Sequence, residues 1–127
     1  MGALLVAPSI SVFKSDGVIA KGAAVKPGSD NNHVAAGAAN TNPCFGVMQS
    51  AATTAAEQLC EIAVGGGAKF LLGEQITAGD SLVSHTDGTF VKPNALGDRI
   101  VGIADESGVV GDLISGRIAL SKAPAAE

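Results

Sequence analysis

Two histidines, two cysteines and one adjacent carboxylate pair are the side chains of this 127-residue chain that invite a chemical reading. His33 and His85 each stand near a turn, with no second His at a ligand spacing. They read as surface histidines. Cys44 and Cys60 form neither a CxxC nor a zinc pattern, and two such cysteines make no disulfide framework. They read as buried, reduced thiols. Asp105-Glu106 could hold a cation weakly, yet no ladder of oxygen ligands surrounds it. Gly65-Gly66-Gly67-Ala68-Lys69 imitates a phosphate loop, but Lys69 is followed by Phe70-Leu71-Leu72-Gly73 rather than by Ser or Thr at the head of a helix. Asp80, Asp98 and Asp112 each follow a glycine, which is ordinary turn chemistry. Ser9, Ser11, Ser15 and Ser50 lie in no GxSxG elbow. No nucleophile, base and orienter can be assembled from these residues. The expectation is a protein without catalytic activity, cofactor or metal.

The elements that carry these residues are strands. Val (12) and Ile (8) together outnumber Leu (9), which favours β structure. There is no Trp or Tyr and only four Phe, so the core must be thin and aliphatic, with close backbone approaches at many of the 17 glycines. Gly and Pro recur so evenly that one gap of helix length remains, Val47 to Val64. Elsewhere an interior breaker would cost a helix ~1 kcal/mol for Gly or ~3 for Pro. Within that gap Leu59 to Val64 alternates like a strand, while Ala51 to Gln58 is Ala-rich and holds a possible capping box, Thr54-x-x-Glu57. The reading is all-β with at most one short helix there.

Charge narrows the partners. Eight basic and twelve acidic residues give −4, with no basic stripe and almost no aromatic residues for base stacking. Nucleic acid is therefore not an expected partner. No apolar run reaches the ~18 residues of a membrane span. Met1 to Phe13 lacks a basic start and is broken by Pro8, so it does not read as a signal peptide.

The order of signals repeats at a spacing of about 56 residues. Ile19-Ala20-Lys21-Gly22 lies over Ile76-Thr77-Ala78-Gly79, and Asn31-Asn32 over the hairpin turn Asp87-Gly88. Cys44-Phe45-Gly46-Val47 lies over Ile100-Val101-Gly102-Ile103, and Ile62-Ala63-Val64 over Ile118-Ala119-Leu120. Each half, about 17–64 and 73–120, would be a small antiparallel unit that cannot bury its apolar face alone. Packed together, two similar halves make a small antiparallel β barrel or sandwich over residues 14–120. Gly65-Gly66-Gly67 reads as a hinge or bulged corner between them. Residues 121–127, rich in Ala, read as a frayed tail.

Residues 1–13 lie outside this repeat. Leu4, Leu5, Val6, Ile10, Val12 and Phe13 are too apolar for a free tail, and Ser9-Ile10-Ser11-Val12 alternates. The segment reads as a docking arm that adds a strand to a neighbour. The alternative is a further strand of the protein's own barrel.

The same motifs, in the same order, resemble the small capsid decoration, or cement, proteins of tailed bacteriophages. The likeness rests on Lys21-Gly22-Ala23-Ala24-Val25, Phe45-Gly46-Val47-Met48, the stretch from Ala63 to Phe70, Ile76-Thr77-Ala78-Gly79-Asp80-Ser81-Leu82, Ile100-Val101-Gly102-Ile103-Ala104 and Gly111-Asp112-Leu113-Ile114. It covers roughly Gly17 to Leu120. The Asn/Ala-rich stretch His33 to Asn42 and the apolar opening depart from the family's pattern. The resemblance implies a β-rich homotrimer at three-fold positions on the outer capsid surface of a virion, with the major capsid protein as partner, clamping the shell against DNA pressure. Another phage structural component, of a tail or fibre, is the alternative, and a small ligand-binding barrel a more distant one.

Overall fold

The computed structural model describes residues 9–37, 46–85, 88–93 and 99–122. Among them run the strands β1 (Ser9–Asp16), β2 (Ala24–Pro27), β3 (His33–Ala36), β4 (Gly46–Met48), β5 (Ala56–Leu71), β6 (Ser81–Ser84), β7 (Phe90–Val91), β8 (Arg99–Ala104) and β9 (Leu113–Lys122). The described residues contain no helix, and the fold is all-β. The capping box does not form. Thr54 N–H donates to Gln58 Oε1 (2.8 Å), Gln58 Nε2 donates back to Thr54 Oγ1 (3.2 Å), and β5 begins at Ala56. Strand periodicity prevails because Cys60 and Ile62, two apart, both face the core.

The strands follow the order β1-β3-β2-β4-β5-β9-β8-β6-β7, and a further pairing of β1 with β5 closes the first half into a barrel. Closure removes the free edges that a short open sheet would present. The second half returns on itself through the parallel bridge Leu72↔Phe90, just beyond the end of β5.

The two halves share their pairings. Ser15↔Val34, parallel, has its counterpart in Leu72↔Phe90. Ala24↔Val47 and Val25↔Gly46 recur as Ser81↔Ile103 and Leu82↔Gly102. Pro27↔Val34 recurs as Ser84↔Phe90, and Lys14↔Leu59 as Leu71↔Leu113. Even a side chain stands in for backbone. Ile76 exchanges two backbone bonds with Gly108, whereas Ile19 N–H donates to Thr53 Oγ1 at 2.8 Å and Thr53 N–H to Ile19 O at 3.0 Å.

This correspondence departs from the sequence alignment at both ends. Phe13 lies over Phe70, so β1 is part of the repeat, and residues 9–13 are a strand of the sheet rather than an arm outside it. The reason is barrel closure: from Ile10 to Lys14 β1 is paired with β5, residue by residue. The last strand is also slipped. Ile62 lies over Gly116 and Val64 over Ile118, not Ile62 over Ile118. A slip of two residues keeps every inward position inward, so an alternating pattern cannot detect it. Ser121 and Lys122, placed in the tail by sequence, pair with Ile100 and Arg99.

β5 serves both halves by turning a corner. Gln49 N–H donates to Glu61 O at 2.8 Å, while the Gln49 side-chain amide bonds both the N–H and the carbonyl of Lys69 at 3.0 Å. One residue thus reaches both sides of Gly65-Gly66-Gly67, where Gly66 has φ +72°. A side chain there would meet the left-handed steric penalty.

The core is in two clusters. Ile19, Val25, Val34, Met48, Cys60 and Ile62 fill the first half, with Phe13 against them. Phe70 and Phe90 centre the second, edge to face at 4.9 Å and 82°. Ala24 and Val47 of the first half belong to the second cluster, which welds the halves together.

Candidate functional site

The proposed docking residues separate into two faces. Leu4, Leu5 and Val6 lie outside the described residues. On β1 the alternation sends Phe13 inward against the first core and leaves Ile10 and Val12 outward, 40% and 60% exposed. The register Val12↔Glu61 and Lys14↔Leu59 sets Val12 diagonally beside Leu59, which is 70% exposed. The outer surface of β1 and β5 therefore carries an apolar strip, Ile10, Val12 and Leu59, between Lys14 and Glu61. Sequence reading missed Leu59. The signal was there, since Leu59 and Glu61 share one face of the strand and Cys60 and Ile62 the other.

His33 is not the solitary surface histidine that the sequence presents. Its Nδ1 lies 2.7 Å from Asp30 Oδ1 and its Nε2 2.6 Å from Glu57 Oε1. The Asp30 bond, and next the Glu57 bond, hold the imidazole above its ordinary value. His33 in turn holds Asp30 below the usual carboxylate range. The cluster links β3, the preceding turn and the start of β5, and Lys14 Nζ stands 4.0 Å from Glu57 Oε2. Asp30 is three residues away and visible in sequence, whereas Glu57 arrives only through the fold.

The other chemical candidates are absorbed into the architecture. Glu106 accepts the backbone N–H of Ser115 at 2.7 Å, which lowers its pKa, and lies 4.0 Å from Lys69. Asp105 Oδ2 accepts from Arg117 Nε at 3.4 Å. Asp80 and Asp112 cap their own turns by accepting from Thr77 and Val109, both at 2.9 Å; Asp98 lies outside the described residues. Cys60 is buried and its thiol is pushed up by desolvation. Cys44 lies outside the described residues. Gly65 to Lys69 are strand, with no helix behind them to face a phosphate. Ser15 is buried and donates to Ala55 O at 2.8 Å, and Ser50 Oγ accepts from Glu61 N–H at 3.1 Å.

An open hollow of about 340 Å³ lies between Gly73, Glu74, His85, Val91, Lys92 and Pro93. Its Glu74 carboxylate is engaged by Lys92 N–H at 2.6 Å. Among the described residues no three His, Cys, Asp or Glu side chains gather as metal ligands. None of their buried side-chain N or O atoms lacks a hydrogen-bond partner. Exposed apolar side chains lie on the outer strip of β1 and β5, a paired face, and also at Val109, Val110 and Leu113.

No protein-family model and no curated protein matches the sequence. Among solved structures, the chain is similar to the N base of the head fibre protein gp8.5 of bacteriophage phi29, at 18% identity over 95% of this chain and 100% of that one, with a TM-score of 0.70; the two share a fold.

Proposed function

We propose that this chain is a structural virion protein that binds the outer surface of an icosahedral phage capsid. It acts there as trimers at three-fold positions, has the major capsid protein as partner, and stabilises the shell against internal DNA pressure. It carries no catalytic activity. The observation that carries the reading is the fold shared along nearly the whole chain with the base of a phage head fibre. The motif order that resembles cement proteins supports it independently. So does the contrast between a surface poor in chemical groups and an exposed apolar strip, since a clamp needs adhesion rather than a reactive pocket. Many weak contacts suffice, because each bound copy adds RT ln(1 + [L]/Kd), ~2.7 kcal/mol at a hundredfold excess over Kd.

A second reading is favoured by the same neighbour: the chain seats a fibre on the head instead of clamping the shell. Heat or low-salt treatment of particles with and without the protein separates the two. Cementing slows DNA release. Equal rates with the protein bound favour the fibre base, and failure to co-sediment with capsids overturns both.

A further inference from the structure

The halves of the chain are joined head to tail, through one face of the first and a different face of the second. The Gly22 turn of the first half seats on the Leu71–Leu113 pair of the second. Leu71 N–H donates to Gly22 O at 2.9 Å, and a Cβ on Gly22 would collide with Leu113 Cδ2. Beside it, Val47 is wholly buried in the second core.

Because the halves repeat, each face has a counterpart, and both counterparts are open. Gly79 stands where Gly22 stands, with φ +94° against +81° and the same turn bond, Asp80 N–H to Thr77 O matching Ala23 N–H to Ala20 O. Yet nothing lies within 4 Å of a Cβ built on Gly79. Ile103, the counterpart of Val47, is 41% exposed where Val47 is 0%. At the other end of the chain, Lys14↔Leu59 holds the register of Leu71↔Leu113, and its Leu59 is exposed. The molecule thus presents, unmated, the two faces of a joint that it has already made once within itself.

We infer that a second copy of this chain mates them: the Gly79 turn and Ile103 of one copy sit on the Leu59 strip of the next. The contact is heterologous, and such contacts close into rings or run on as filaments. It deepens the trimer proposed above, and rests on that reading for its stoichiometry alone. The joint between copies is weaker than the internal one. Lys14 N–H already donates to Asn32 O at 2.7 Å, so the backbone bond from Leu71 to Gly22 is not repeated. Apolar burial carries the contact instead, with Val12 extending it.

Analytical sedimentation of the full chain and of two variants tests this. The wild type associates at concentrations up to about 1 mM, within the range of weak interfaces. Leu59→Asp and Ile103→Asp each weaken association by at least ~tenfold, a loss of ~1.4 kcal/mol. Mixed together, the two variants form a heterodimer, because each retains the face that the other has lost. Circular dichroism confirms folding, and Ile103→Gln replaces Ile103→Asp if the latter unfolds. A wild type that stays monomeric, variants that associate like it, or a mixture without rescue overturns the inference; the last would mean a two-fold contact. Co-sedimentation with capsids reads the functional proposal separately. A strictly monomeric protein that binds capsids overturns the self-contact alone, and one that self-associates as described but ignores capsids upholds it and overturns the capsid reading.

Discussion

His33 Nε2 stands 2.6 Å from Oε1 of Glu57, a residue 24 positions further along the chain. The imidazole side chain is 12% exposed, while the carboxylates of Asp30 and Glu57 that flank it are 59% and 62% exposed. Glu57, the second residue of β5, has φ +68° and is the one left-handed non-glycine residue among those described. The ring therefore ties β3 to the strand that both halves share, and it does so through groups that titrate.

Stability should depend on pH through this cluster. His33 is raised above its ordinary value of 6.5 by Asp30 and Glu57, so its contribution is complete below about pH 6.5 and is lost as pH rises through the raised folded value. Asp30 is lowered below 3.8, so its contribution is present above that value and is lost as pH falls through the lowered one. Both act together between about pH 4 and 6.5. Lys14 Nζ also faces the cluster, 4.0 Å from Glu57 Oε2. Urea midpoints should fall on the alkaline side, and His33→Gln should flatten that limb. Equal slopes for the two proteins would refute the assignment.

Gly102 and Gly116 should resist enlargement. A Cβ on Gly102 would meet Arg117 O and, at 2.9 Å, Phe70 Cζ; one on Gly116 would meet Ile103 O at 2.7 Å and Phe70 Cε1 at 2.8 Å. Alanine at either should cost about 1–3 kcal/mol, the usual cost of overpacking. Gly65→Ala is the control, since its nearest neighbour is Ser9 Cβ at 3.7 Å. Denaturant unfolding checks the contrast, and equal losses at all three sites would contradict it.

Thr53 should behave as a buried bracket. Its Oγ1 accepts from Ile19 N–H and donates to Gly17 O, both at 2.8 Å, and the residue is 3% exposed. Thr53→Val removes both bonds and should cost about 1–3 kcal/mol, mainly for the buried Ile19 N–H left unpaired. Thr53→Ser keeps the oxygen and should recover most of the thermal midpoint. No recovery would mean that packing of the methyl, not the hydroxyl, matters here.

Cys60 should be chemically silent in the folded protein. It is fully buried, donates its thiol proton toward Gln58 O at 3.5 Å, and is held above the usual thiol pKa by desolvation. In a Cys44→Ser background, thiol reagents should modify it at least ~100-fold more slowly than in urea, because access needs local opening. Rapid native labelling would show that β5 frays at this point.

Phe70 centres the second core, edge to face with Phe90 and beneath two glycines. Phe70→Ala should cost about 3–5 kcal/mol, a large share of the 5–15 kcal/mol that holds such a domain together. Calorimetry should show a transition lowered well beyond that of the Leu59→Asp variant, whose side chain is outside the core.

The sequence by itself determined the class and the plan. Evenly spread glycines and prolines left one gap long enough for a helix, β-branched residues favoured strands, and the recurrence of Ile19 to Gly22 at Ile76 to Gly79 disclosed a duplicated unit. Gly46 and Gly102 fell at the same point of both halves because backbone passes close there: Ala63 O near the first, Arg117 O near the second. Tertiary structure alone decided how the units close and meet. The alternation of Ser9 to Val12 fits a strand on any edge, and barrel closure chose β5 of the same chain. The two-residue slip of β9 leaves the inward pattern unchanged, so only the backbone pairing reveals it. Glu57 finds His33, and Leu59 finds Val12, across loops whose contacts no local spacing encodes. The exposure of Gly79 beside the burial of Gly22 is likewise a property of packing, because two copies of one motif are identical in sequence terms until one of them has been covered.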